Sequence, residues 1–222
     1  MKTAILVDGG FYRRRAQKVW GEKPPKERAD ELEQYCKKHL KQGGEKGNSL
    51  YRVFYYDCPP YDENVYHPLL KQDVYFARTD LYKWMTSFIE ELKKRRKFAL
   101  RLGFLSAPSI QYDLNQDKLK KLLNGAITIN ELTEKDFHLS LTQKGVDMKI
   151  GVDIASISYK KQVDRIILIS DDSDFVPAAK LARREGIDFI LDPMWNHVNP
   201  SLFEHVDGIR SCFQNPNTKS TK

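Results

Sequence analysis

The chain has 222 residues, 41% of them hydrophobic, and 37 Lys and Arg against 30 Asp and Glu give a formal net charge of +7. That length suits one α/β domain carrying an insertion, with enough apolar residues for a sizeable core. No apolar stretch approaches membrane-spanning length, which excludes a helical membrane protein. Lys2 runs straight into an apolar stretch with no small-residue cleavage site, so no signal peptide is expected. Cys36, Cys58 and Cys212 are odd in number and far apart, with neither zinc nor disulfide spacing, and a reducing, cytoplasmic setting is the expectation.

Thr3-Ala4-Ile5-Leu6-Val7 is a short apolar run that ends in Asp8, and Gly9-Gly10 then permits a sharp strand-to-helix turn. The helix beginning at Phe11 carries a basic face with Arg13, Arg14, Arg15 and Lys18. A charged helix follows Pro24-Pro25, with Leu32, Tyr35, Cys36 and Leu40 at helical spacing, and Gly43-Gly44 ends it. Leu50–Tyr56 reads as a strand stopped by Asp57-Cys58-Pro59-Pro60, and residues 61–72 read as irregular. From Thr79 to Lys97 a long amphipathic helix presents Leu81, Trp84, Met85, Phe88, Ile89 and Leu92 as one stripe. Its terminal run Lys93-Lys94-Arg95-Arg96-Lys97 is either a solvated helix end stabilised by its dipole or a phosphate-contacting patch.

Phe98–Leu105 reads as another strand, interrupted by Arg101 and Gly103. Residues 106–136 read as an insertion with a short helix near Asp117–Leu123 and a Thr133-x-x-Asp136 turn. Phe137–Thr142 is the next expected strand, and Gln143-Lys144-Gly145-Val146-Asp147 leads into a helix ending at Tyr159. Asp147 and Asp153 stand about 240° apart around that helix and share no face, which leaves Asp147 beside the loop as the site candidate. Asp153 is the better candidate for orienting a neighbouring group.

The whole chain is organised around Asp164–Pro177, D-R-I-I-L-I-S-D-D-S-D-F-V-P. Arg165–Ile169 reads as a strand buried on both faces of a parallel sheet. Ser170 stops it, and Asp171, Asp172 and Asp174 follow before a helix with Pro177 in its first turn. Ser173 or Asp174 capping that helix accounts for one acid. Three acids at the carboxyl end of a buried strand repel one another, and a bound cation is the usual remedy. The last expected elements are a strand at Ile187–Leu191, closed by Asp192-Pro193, a helix at Pro200–Val206, a strand at Ile209–Phe213 and a polar tail over 214–222, expected to be disordered. Strands alternating with helices give an α/β fold with a mostly parallel sheet, one domain over 1–213.

Three pieces together, Val7-Asp8-Gly9, Lys144-Gly145-Val146-Asp147 and Ser170-Asp171-Asp172-Ser173-Asp174-Phe175, resemble the NYN domain family of the PIN-like superfamily, in its LabA-like branch. The resemblance implies a Rossmann-like sheet flanked by helices and an endoribonuclease centre of Asp side chains holding Mg²⁺ or Mn²⁺. Carried over position by position, Asp8, Asp147, Asp172 and Asp174 are the implied catalytic and metal-holding acids, with Asp153 a further acid on the preceding helix. Two departures stand out: Phe11 occupies the place of a common Asn, and Asp171 replaces the usual Gly.

On this reading the acids hold one or two ions mostly through water, and no His or Ser nucleophile is needed. The five His residues are scattered without ligand spacing. Arg13, Arg14, Arg15, Lys18, Lys144 and Ser170 are the candidates for contacting substrate, and Asp153 and Asp171 the supporting acids. RNA is the implied partner, with DNA left open by the residues themselves; no membrane partner is expected, and a homodimer is allowed although no stretch marks an interface. A basic body around an acidic site suits an anionic polymer. The rival expectations are a nucleic-acid-binding module without turnover and a Mg²⁺-dependent enzyme acting on a small phosphate ester.

Overall fold

The computed structural model describes residues 1–41, 48–106 and 110–213. Its centre is a six-stranded sheet in the order β12–β11–β10–β1–β2–β5, every neighbouring pair parallel. Strand β1 is Lys2–Asp8, β2 Ser49–Asp57, β5 Phe98–Leu102, β10 Arg165–Ile169, β11 Asp188–Asp192 and β12 Gly208–Ile209. The apolar runs form strands because alternate side chains bury on opposite faces. Ala4, Leu6, Ile166 and Leu168 face one core, and Ile5, Val7, Ile167 and Ile169 the other.

Helices α1 (Gly9–Trp20), α2 (Pro25–Lys41) and α3 (Asp80–Lys93) supply Tyr12, Leu32, Tyr35, Phe88 and Leu92 to the second core. Helices α5 (Val146–Tyr159) and α6 (Val176–Arg184) supply Ile150, Ile154, Ala179 and Ala182 to the first. The chain leaves β1 toward β2 over one face, and after β5 it returns over the other face to β10. The direction therefore reverses between β1 and β10, and the crevice outside their carboxyl ends is where an open α/β sheet accepts a ligand.

Several elements differ from the sequence expectation. The stretch expected to be irregular after Tyr61 holds an antiparallel hairpin, β3 (Asn64–His67) with β4 (Gln72–Tyr75). Helix α3 stops at Lys93, so most of the basic run lies past it, and Leu81 stays 68% exposed rather than joining the core. Gly103 breaks the strand expected over 98–105 into β5 and β6 (Phe104–Ser106). A Cβ at Gly103 would stand 2.6 Å from the Lys144 carbonyl and 3.1 Å from Cys58 Sγ, so the chain needs glycine there to turn out of the sheet.

The excursion between β5 and α5 carries helix α4 (Gln116–Leu123), as expected, on two small antiparallel ladders. In these, β6 pairs with β9 (Thr142–Lys144), and β7 (Tyr112–Leu114) with β8 (Phe137–Leu139). Phe137–Thr142 is thus two strands instead of one. The expected Thr133–Asp136 turn is present as a capping box. The last helix, α7, spans only Pro200–Phe203. The end of α2 expected at Gly43-Gly44 and the tail expected over 214–222 lie outside the described residues. Among the described residues no helix is long and apolar enough to cross a membrane.

Candidate active site

Asp8 ends β1 and caps α1, with its Oδ1 accepting the Phe11 N–H at 3.0 Å. Its Oδ2 accepts the hydroxyl of Ser170 at 3.3 Å, from the residue that ends β10. Ser170 is fully buried, and its Oγ also accepts the Asp172 N–H at 3.4 Å. Asp172 in turn caps the short 3-10 turn Ser173–Phe175 by accepting the Asp174 N–H at 2.9 Å. Asp172 thus caps the 3-10 turn, while α6, which the sequence expected Ser173 or Asp174 to cap, starts after Phe175 without a side-chain cap. Ser170 holds the two strand ends in register, a positioning task rather than an attack on substrate.

Asp147 enters from the first turn of α5, after Gly145 takes a left-handed φ of 81°. It is exposed, as is Asp174, and neither side chain has a cationic partner among the described residues. Partial burial, followed by the charges of Asp172 and Asp174, raises the Asp147 pKa above 3.8. Burial raises Asp8 as well, opposed by the Phe11 hydrogen bond, and the charge of Asp147 adds to the rise. Acids from β1, α5 and the β10 loop thus repel one another through a half-desolvated space with Arg14 as the cation that opposes them at Asp8.

Two other strand-end acids have different fates. Asp57 at the end of β2 is buried and accepts Arg13 Nε at 2.8 Å and Nη2 at 3.1 Å, the Tyr55 hydroxyl at 2.8 Å and the Cys58 N–H at 2.8 Å. Asp192 at the end of β11 is buried against His39 Nε2 at 2.7 Å and accepts the Met194 N–H and the Ser211 hydroxyl, each at 2.7 Å. Sequence reasoning gave His39 no role, since its partner lies 153 residues away. Asp57 and Asp192 are thus held by ring or guanidinium groups packed into the core, whereas among the described residues the crevice acids Asp147 and Asp174 have no ion pair.

The remaining candidates separate in the same way. Arg13 is paired with Asp57, and Arg15 donates its Nε to the Met194 carbonyl at 2.7 Å, so the fold already holds both side chains. Arg14 and Lys18, one helical turn apart, are exposed, and Lys144 is exposed beside the turn into α5. Asp153 accepts the Tyr56 hydroxyl at 2.8 Å and Arg101 Nε at 3.0 Å, tying α5 to the sheet. Asp171 accepts Asn196 Nδ2 at 2.6 Å and so braces the loop after β11. Tyr12 is fully buried with its hydroxyl on Glu31, and Phe11 packs into the second core. Lys93 and Lys94 pair with Glu90 and Glu91, and Arg95 with Asp30 and Glu33. The whole run leads into the amino end of β5, across the sheet from the acids, because the Lys97 carbonyl accepts the Val53 N–H while Asp8 lies level with Tyr56.

The model for the NYN domain matches residues 63–207, about two thirds of the chain. The chain belongs to the NYN domain family. NYN domains are PIN-like, in a superfamily of nucleases, and the matched region holds Asp147, Asp172 and Asp174 but not β1 with Asp8. An uncharacterized protein of Methanocaldococcus jannaschii is 22% identical over 153 residues, covering 59% of this chain and 64% of the relative, so the chain spans under two thirds of that protein's length. A crystal structure of a protein of unknown function from Vibrio parahaemolyticus superposes with a TM-score of 0.49 at 13% identity, covering 96% of this chain and 94% of the other.

Hard carboxylate oxygens at a half-desolvated edge, with no built-in cation at Asp147, are the donor chemistry that Mg²⁺ or Mn²⁺ takes. Among the described residues no three His, Cys, Asp or Glu side chains converge closely enough to ligate one ion directly. The arrangement therefore fits an ion that keeps most of its water and contacts one or two carboxylates, the usual Mg²⁺ habit.

Proposed function

We propose that this NYN domain is a metal-dependent endoribonuclease of the LabA-like kind, hydrolysing RNA phosphodiester bonds at Asp8, Asp147, Asp172 and Asp174. The observation that carries the reading is the set of mutually repelling acids at the β1–β10 crevice, two of them without a cationic partner among the described residues, in a chain of net charge +7. A Mg²⁺ or Mn²⁺ ion bound there supplies Lewis acidity and makes water more acidic. Asp8 and Asp172 keep one oxygen on the backbone and so present the other in a fixed direction. Ser170 holds Asp8 against the second strand. Arg14, Lys18 and Lys144 attract the phosphate backbone from the rim.

The second reading, a nucleic-acid-binding module without turnover, has Phe11 in its favour: a ring buried in the core stands where the resemblance expects a polar Asn. The test is incubation of purified protein with single-stranded and duplex RNA and DNA in Mg²⁺, Mn²⁺ or EDTA. Cleavage that needs metal, prefers RNA and vanishes in Asp8→Asn and Asp172→Asn upholds the nuclease. Binding with no cleavage under any metal refutes it in favour of the binding module.

A further inference from the structure

A cavity of about 390 Å³ lies off the carboxyl end of β2, between the start of α3 and the excursion between β5 and α5, and none of the four acids lines it. Its walls include the rings of Tyr61, Phe76 and Tyr82 and the aliphatic side chains of Leu105 and Leu139. The first two rings brace each other edge to face at 5.4 Å, and Phe76 also lies parallel to Tyr112 at 6.3 Å. All five wall residues are only partly buried, so the cavity is an apolar slot open to water.

Among the described residues its one charged wall is Arg13, whose guanidinium is fixed by two hydrogen bonds to buried Asp57 and whose side chain keeps 20% of its surface exposed. Cys58, immediately beyond β2, completes the contact with the sheet edge. Arg13 rides on the helix that begins at Asp8, and Leu139 belongs to the segment that continues through Lys144 to Asp147. Two walls of the cavity thus lie on the stretches that carry Asp8 and Asp147, most of the others come from residues 58–85, and the cavity lies at the carboxyl end of the sheet as the acids do.

We propose that this cavity is the seat of one unstacked nucleobase of a single-stranded RNA, next to the phosphate presented to the acids; the inference rests on the nuclease reading of that crevice. A base has two apolar π faces for the rings and a polar edge for the fixed guanidinium, and stacking on aromatic side chains is how single strands are held without reading sequence. An aliphatic ligand would match the rings and leave Arg13 desolvated, and a duplex keeps its bases stacked on each other. A second cavity of about 500 Å³ shares Arg13 and Leu81 and reaches Trp84, but its other cations, Lys23 and Arg28, are paired with Glu31, and Glu22 and Asp80 line it as well, so the assignment is confined to the first.

The probe is a short single-stranded oligoribonucleotide with 2-aminopurine placed at successive positions, bound to the full chain in EDTA. Wild-type protein is expected to quench the fluorophore at one position by stacking. An abasic nucleotide at that position is expected to weaken binding about 5- to 100-fold, the range for one base–aromatic stack. Phe76→Leu and Tyr82→Leu, which keep the wall apolar, should each weaken the intact oligonucleotide within that range and leave the abasic one unaffected. Uniform quenching together with no abasic position that matters overturns the site, and so do folded ring variants that bind as wild type does. The cavity then falls to an apolar small molecule or a peptide. Metal-dependent cleavage with ring-independent binding overturns the base site and spares the nuclease. Ring-dependent, position-specific binding without cleavage under any metal upholds the base site and refutes the nuclease.

Discussion

Replacing Arg13 by Gln tests whether that residue, on the wall of the apolar cavity, neutralises Asp57. The Asp57 side chain is completely buried, and removing its cation leaves an uncompensated carboxylate, which costs about 3–5 kcal/mol. The Tyr55 hydroxyl and Cys58 N–H bonds remain, which places the expected cost toward 3 kcal/mol. Against a typical stability of about 5–15 kcal/mol this is a large loss. With a urea slope of about 2–3 kcal/mol/M for a chain of this size, the midpoint should fall by about 1–1.5 M. The double variant Arg13→Met with Asp57→Leu removes both charges and should recover most of the loss, since a buried pair replaced by apolar side chains is often near neutral. An Arg13→Gln protein with an unchanged urea midpoint would refute this reasoning.

Three further outcomes follow from the site. Asp8→Asn and Asp172→Asn should each lower metal-dependent cleavage by roughly 100-fold or more, because each removes a charge that opposes the cation. Neither should lower thermal stability, since Asn caps a helix about as well as Asp; a large fall in melting temperature would assign these acids to the fold. The carboxyl groups of Asp8 and Asp147 are both raised above 3.8, so their contribution to stability is full below that pH and is lost as pH rises through the raised folded values. Metal-free protein should therefore gain stability from Asp147→Asn at pH 7 and gain none at pH 3. Mg²⁺ should raise the melting temperature of wild type and not of that variant, as differential scanning fluorimetry would read. Arg14→Gln with Lys18→Gln should weaken RNA binding and reduce the salt slope by about 1–2, while Lys93→Gln with Lys94→Gln should change neither; equal effects at the two sites would contradict the assignment of opposite sheet edges.

The sequence by itself determined the sheet core and the acids. Thr3–Val7 and Arg165–Ile169 are continuous apolar runs that only a strand covered on both faces satisfies, and each ends at a carboxylate because the chain there turns into a helix start that welcomes one. Gly145-Val146-Asp147 and Ser170–Phe175 were legible for the same local reason. Only the tertiary structure decided which of these acids remain without a counter-charge. Asp57 and Asp8 look alike in the sequence, but Asp57 meets Arg13 from 44 residues away and Asp192 meets His39 from 153 away. The basic run at 93–97 likewise reads equally as a solvated helix end or a phosphate patch until parallel pairing places it at the amino ends of the strands. Strand and helix periodicity reports what a residue's neighbours in the chain require. Whether a charge is paired depends on which distant elements the core packs against it, and that information is absent from any local window.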